Sequence, residues 1–275
     1  QIIFGNGSDE VIVLAVRAFV REGDEVVIAK PSFLIYEIAS LIEGAKVCGV
    51  PLKNFRYDLE GMKHAVTAKT KIIFVGNPDN PAGTYIPRGD LKKFITEIRK
   101  DVLIFIDEAY FEYVHANDYP NGIEFIKDHA NVVVTRTFSK MYGLAGLRVG
   151  FGIGDPAVID VLNRLREPFN VNSIAQAAAI ACLKDKKYYQ GIAKSVEEER
   201  RFLYAGFEKL DIHYEESHTN FVLLRVKNDS TVVSQALLKK GVIIRDMNAW
   251  GLKNYIRITI GSRKENRILL KALQE

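Results

Sequence analysis

The stretch VLIFIDEAY, Val102–Tyr110, decides how this chain folds. Five apolar residues follow one another without a polar break, and two carboxylates end the run. A strand that is apolar at consecutive positions shows both of its faces to hydrophobic surroundings, which is the pattern of a strand covered on both sides. Runs of the same kind recur as EVVIA (25–29), KVCGV (46–50), KIIFVG (71–76), NVVVT (131–135) and RVGFGIG (148–154). Amphipathic stretches lie between them, among them SDEVIVLAVRAFVREG (8–23) and RGDLKKFITEIRK (88–100). This alternation predicts an α/β large domain with a mostly parallel sheet flanked by helices.

The pattern changes after about Pro168. Residues 173–210 read as helix, with little strand character. The remainder reads as strand NFVLLRV (220–226), helix STVVSQALLKK (230–240), strands GVIIR (241–245) and NYIRITIG (254–261), and helix SRKENRILLKAL (262–273). That is a smaller C-terminal α+β domain. The expected division is 1–184 for the large domain and 185–275 for the small one.

The composition is that of a soluble globular protein, with 275 residues, 48% hydrophobic and 26% charged. A net charge of +4 is spread along the chain and forms no basic stripe, so no nucleic-acid partner is expected. No apolar run approaches the ~20 residues of a membrane span. Cys48 and Cys182 stand alone and the five histidines are scattered, so no metal site is expected, and the thiols suit a reducing cytoplasm. Walker A, G-x-G-x-x-G, G-x-S-x-G and H-E-x-x-H patterns are absent.

In open α/β sheets, ligands bind beyond the carboxyl ends of the strands. Here those ends are chemically loaded. KIIFVG runs into NPDNPAG with Asn77 and Asn80, VLIFI into Asp107, Glu108 and Tyr110, and NVVVT into Thr137, Ser139 and Lys140. Singly, each suits a turn or a helix cap equally well. Together they form a set. Asp107 closes an apolar run where a lone carboxylate is costly, so it needs a cationic partner, from the protein or from a cofactor. GNGSDEVI (5–12) sets Gly5, Gly7 and Ser8 before a helix, whose free N–H groups favour an anion. TRTFSKMYGLAGLRVG (135–150) adds Arg148 eight residues after Lys140. A phosphorylated aldehyde is the ligand that needs an amine beside an anion site. Pyridoxal phosphate requires a lysine, an acid for its ring nitrogen and donors for its phosphate. Lys140, Asp107 and the set Ser8, Thr137, Ser139 and Arg148 offer all three.

In this order and spacing, NPDNPAGT, DEAYFEY and TFSKMYGLAGLRVG resemble the fold-type I aminotransferases of class I/II. REPFNVNS (166–173), TNFVLLR (219–225) and GVIIRDM (241–247) look like the histidinol-phosphate branch of that family. The resemblance covers nearly the whole chain. It implies that Lys140 takes the cofactor aldehyde and carries the proton, and that Asp107 pairs with the ring nitrogen. It implies Asn80 and Tyr110 at the ring 3′-oxygen, Phe33 on the ring face and Tyr36 close by. The phosphate would rest on the backbone at Ser8 and Asp9, with Thr137, Ser139 and Arg148. Arg257 and Arg245 would bind substrate anions, and Asn170 and Asn220 would line the site. A salt bridge to Asp or Glu is the alternative for the arginines.

The implied activity is transamination between histidinol phosphate and 2-oxoglutarate by a cytoplasmic homodimer acting on small amino and keto substrates. The alternatives are an aromatic amino-acid aminotransferase, a threonine-phosphate decarboxylase and a non-catalytic cofactor-sensing domain. The chain begins with Gln1 and QIIFGNG reads like the interior of a fold, so it is expected to start partway through a longer parent. Family members carry an N-terminal segment that supplies part of the small domain, an arm onto the partner and a tyrosine reaching the neighbour's cofactor. That part of the small domain is expected to be missing here.

Overall fold

A computed structural model describes residues 1–274. Seven strands form the larger sheet: β1 (Ile2–Gly5), β2 (Glu25–Lys30), β3 (Lys46–Pro51), β4 (Thr70–Gly76), β5 (Leu103–Asp107), β6 (Val132–Thr137) and β7 (Gly150–Gly154). Their order is β1-β7-β6-β5-β4-β2-β3. Only β7 runs against its neighbours, pairing antiparallel with both β1 and β6. Around this sheet lie α1 (Ser8–Phe19), α2 (Leu34–Ile42), α3 (Leu59–His64), α4 (Arg88–Glu97), α5 (Ile123–Ile126), α6 (Pro156–Leu165) and α7 (Ser173–Lys184). The long α8 (Lys186–Lys209) leads to a second sheet, β8 (Phe221–Arg225), β9 (Arg245–Asp246) and β10 (Tyr255–Thr259), in the order β8-β10-β9. Helices α9 (Ser230–Lys239) and α10 (Arg263–Gln274) cover it.

The continuous apolar runs are buried on both faces, as expected of central strands. Successive side chains of β4 and β5 point to opposite sides. Ile72, Phe74, Leu103 and Phe105 pack with Val11, Ile12, Val16 and Tyr36 from α1 and α2. Ile73, Val75, Ile104 and Ile106 pack with Met62, Leu91, Phe94 and Ile95 from α3 and α4. A third core joins Leu203 and Phe207 of α8 to Val222, Leu224, Ile256 and Ile258 of the small sheet. The N-terminal half of α8 instead places Ala193 against Tyr110 and Met141 of the large sheet's loops. The helix therefore links both cores, and the expected boundary at 184/185 falls just before it.

Two expectations change. GVIIR forms no strand of its own length; only Arg245 and Asp246 pair with β10, and Ile243 is 84% exposed. An apolar run makes a strand only where a partner edge meets it. Conversely, the short β1 is a strand because β7 pairs with it residue for residue from Ile2 to Gly5. Among the described residues, no helix is long and apolar enough to cross a membrane.

Helix α1 lies close against β7, and glycine makes this possible. A Cβ on Gly150 would stand 2.4 Å from the Ser8 backbone nitrogen. Gly150→Ala must push α1 away from the sheet. A loss of about 1–3 kcal/mol of stability is expected, as for other overpacked sites, measurable by urea denaturation against the parent chain.

Candidate active site

The carboxyl ends of β4, β5 and β6 and the start of α1 converge on one cavity of about 160 Å³. Ser8, Asp9, Phe33, Asn80, Asp107, Tyr110, Thr137, Ser139, Lys140 and Arg148 all line it, with Tyr36. Residues far apart in the chain are thus gathered by the parallel topology.

The floor is a pair of neighbouring carboxylates with different partners. Glu108 is fully buried and has its own cation: Arg136 donates to Oε2 through Nε at 2.9 Å and Nη2 at 2.7 Å, and Gly122 N–H donates to Oε1. Asp107, 6% exposed, has none among the described residues. Its donors are neutral: the Tyr36 hydroxyl at 2.8 Å, the Ala109 N–H at 3.1 Å and the Thr135 hydroxyl at 3.4 Å. Burial pushes its carboxyl up from 3.8 to about 6, and the Tyr36 hydrogen bond opposes that rise. The cation expected to pair with Asp107 is therefore not supplied by these side chains.

One wall is the start of α1. Gly7 precedes it with φ 85° and caps it with no side chain, so the first N–H groups of the helix are left for a ligand. Arg148 completes this corner. It pairs with Asp9 at 3.1 Å and reaches the Ser139 hydroxyl at 3.4 Å, from a left-handed backbone with φ 57°. Thr137 Oγ1 accepts from the Ser139 N–H at 3.1 Å, turning the chain so that Lys140 follows. The Lys140 amine lies 5.5 Å from the centre of the Tyr110 ring. Lys140 is open along the cavity mouth, but the surrounding protein desolvates its amine and lowers its pKa. Neighbouring Arg257 lowers it further, while Asp107 and Asp9 oppose both. Burial, more than neighbouring cations, dominates this shift.

The small sheet approaches the cavity through Arg257, which is outside the lining itself but bonds to Asn80, which is in it. The Arg257 guanidinium donates to Asn80 Oδ1 and lies 4.6 Å from the Phe221 ring centre and 5.9 Å from that of Trp250. Ile256, Ile258 and Ile260 are buried on the opposite side, as the alternation predicts. Arg245 stands directly across from Arg257 on β9, exposed and outside the cavity lining. Asn170 is placed elsewhere. Its amide is used by Phe4 O at 3.0 Å, Glu10 and Arg166, so it ties β1 and α1 to the loop after α6 instead of lining the cavity. Asn220 also lies outside the lining. Two contacts have no local sequence signal: the Tyr36 bond to Asp107, and the Trp250 indole N–H bonded to Ser32 O at 2.9 Å. Tyr36 sits one helical turn beyond Phe33, the only hint that both face the same space.

The fold and this cavity define a class. The family model for aminotransferase class I and II matches residues 1–273, and the chain belongs to that family. Within it, the chain is 42% identical to the histidinol-phosphate aminotransferase of Moorella thermoacetica, over 100% of this chain and 72% of that protein. It is likewise 42% identical to the histidinol-phosphate aminotransferase of Halalkalibacterium halodurans, covering 74% of that protein. The crystal structure of histidinol-phosphate aminotransferase from Sinorhizobium meliloti in complex with pyridoxal-5'-phosphate superposes with a TM-score of 0.91 at 30% identity. That match covers 99% of this chain and 75% of the other.

The state of Asp107 has a measurable consequence. Its folded-state pKa is raised, so between about pH 4 and pH 6 the folded chain binds more protons than the unfolded one. Stability therefore falls as pH rises through that window and stays reduced above it. From 3.8 to about 6, at about 1.4 kcal/mol per tenfold change in proton affinity, the ceiling is about 3 kcal/mol. Without cofactor, Asp107→Asn should be more stable than the parent at pH 8 and lose that advantage at pH 4. Denaturation midpoints at the two pH values check this.

Proposed function

We propose that the protein is a histidinol-phosphate aminotransferase, exchanging an amino group between histidinol phosphate and 2-oxoglutarate in histidine biosynthesis. The products are imidazole-acetol phosphate and glutamate, and the cofactor is pyridoxal 5'-phosphate. The observation that carries this reading is one cavity holding Lys140, a cation-free Asp107 and an open helix start. The chain that builds it is 42% identical along its whole length to a histidinol-phosphate aminotransferase.

The residues fit the cofactor. Asp107 lacks a positive partner that a protonated ring nitrogen would provide. The α1 N–H groups at Ser8 and Asp9, with Thr137, Ser139 and Arg148, make an anion corner suited to its phosphate. Phe33 would cover a ring face. Asn80 accepts from Arg257 through Oδ1, which leaves its amide nitrogen to donate, with Tyr110, to the ring 3′-oxygen. When bound, pyridoxal phosphate supplies an aldehyde that takes the amino group and a ring that withdraws electrons from the breaking bond. The protein moves the proton. The lowered pKa of Lys140 lets Nζ take it from the substrate carbon bearing the amine and return it on the cofactor side. Arg257, bonded to Asn80 at the cavity, would meet the substrate phosphate or the carboxylate of glutamate, and Arg245, across from it on β9 and outside the lining, would be the second cation.

We further infer a homodimer in the cytoplasm. Helix α7 supports the dimer, because Ile174, Ile180 and Leu183 are each more than half exposed along it. The unpaired thiols of Cys48 and Cys182 suit a reducing compartment.

Three substrates test the reaction. Histidinol phosphate should react faster than phenylalanine, and threonine phosphate should not lose carbon dioxide. A preference for phenylalanine would place the protein with the aromatic aminotransferases, and decarboxylation with the phosphothreonine enzymes. Borohydride on the cofactor-loaded protein should label Lys140, and Lys140→Ala should abolish turnover; a label on another lysine refutes the assignment. Arg245→Ala should lower kcat/KM for histidinol phosphate about tenfold, the size of one charged hydrogen bond, and spare phenylalanine.

A further inference from the structure

We propose that Tyr36 is a positioning residue for this reaction: its hydroxyl holds Oδ2 of Asp107 in the orientation and charge state that the cofactor's ring nitrogen requires. The inference rests on the reading of the cavity given above.

An ionised carboxylate offers about four acceptor positions, two on each oxygen. Oδ1 of Asp107 takes both the Ala109 N–H and the Thr135 hydroxyl. Oδ2 takes only the Tyr36 hydroxyl, at 2.8 Å, the shortest of the three bonds. The open position is therefore on the oxygen that Tyr36 touches. The two Oδ1 donors come from the loop after β5 and from neighbouring β6, so they fix the carboxylate from within the sheet. Tyr36 comes from α2 and sets the rotation of the other oxygen from outside it.

The phenol is built to stay where it is. Tyr36 is 1% exposed, lies parallel to Phe74 with ring centres 4.7 Å apart, and meets Phe33 edge-on at 5.5 Å. Burial and the adjacent carboxylate hold its hydroxyl protonated, so it stays a donor throughout the working range of pH. Beside Tyr36, the titratable groups facing Asp107 are Asp9 from α1, Lys140 after β6, and Glu108, Tyr110 and Tyr119 after β5. Asp9 and Glu108 disfavour its charge, and Lys140 favours it only while protonated. Tyr36 is thus a pH-independent donor that keeps the carboxylate ionised. Its contact with Phe33 joins the ring-face residue and the ring-nitrogen partner in one unit.

The test uses the cofactor-loaded protein, with equilibrium dialysis of pyridoxal phosphate from pH 5 to 8 beside kcat and KM. In the parent chain, cofactor affinity should weaken below the pH at which Asp107 takes a proton, and Asp107→Asn should remove that break. Tyr36→Phe keeps the ring stack and loses only the donor. It should move the break, and the acid limb of kcat, to higher pH by about one unit. At pH 7 kcat should fall about tenfold with KM changed less than about threefold. Replacing Tyr36 by 3-fluorotyrosine, a stronger donor, should move the break to lower pH. A merely structural tyrosine would move neither break. If Tyr36→Phe leaves the break in place while Asp107→Asn removes it, the proposal is wrong and the reading of Asp107 stands. If Asp107→Asn leaves the parent's break unchanged, that reading fails and this proposal with it.

Discussion

Burying the Asp107 carboxylate at the end of β5 costs more than its three neutral donors return, and the cavity is organised around that imbalance. The adjacent Glu108 shows what a purely structural solution looks like: two arginine N–H groups on one oxygen and a backbone N–H on the other, with no ligand needed. Asp107 is built the other way. Its donors stabilise the charge in part, and no ion pair among the described residues supplies the remainder. The same cavity gathers the start of α1 and the Lys140 amine.

The large sheet was legible because its central strands are buried on both faces, and unbroken runs such as KIIFV and LIFI have little else to become. The gathering of these residues in one cavity was legible for the same topological reason, since polar residues at successive strand ends must meet. The failures have physical causes too. GVIIR has the composition of a strand but meets a partner edge only at Arg245 and Asp246. QIIFG is short and glycine-bearing, and becomes β1 only because β7 lies beside it. Asn170 offered the right chemistry in the right neighbourhood of sequence, yet its amide is consumed by Phe4 and Glu10. The neutral partners of Asp107 come from α2, from β6 and from its own loop, and no local pattern announces that convergence.

The depressed Lys140 amine and the raised Asp107 carboxyl are effects of one environment. Desolvation disfavours both charges, so it lowers the pKa of the amine and raises that of the acid. Desolvation leads in both shifts, with Arg257 adding to that of the amine and Asp9 to that of the acid.

The indole of Trp250 spans from the small sheet's loop to Ser32, the residue before Phe33. It is the single tryptophan of the chain. Nature has thus placed the one strongly fluorescent side chain at the seam where the arginine-bearing sheet touches the loop that carries Phe33. Any relative movement of the two units changes the polarity around that indole. The seam therefore carries its own optical reporter, and opening or closing of the cleft can be followed in real time without attaching a dye.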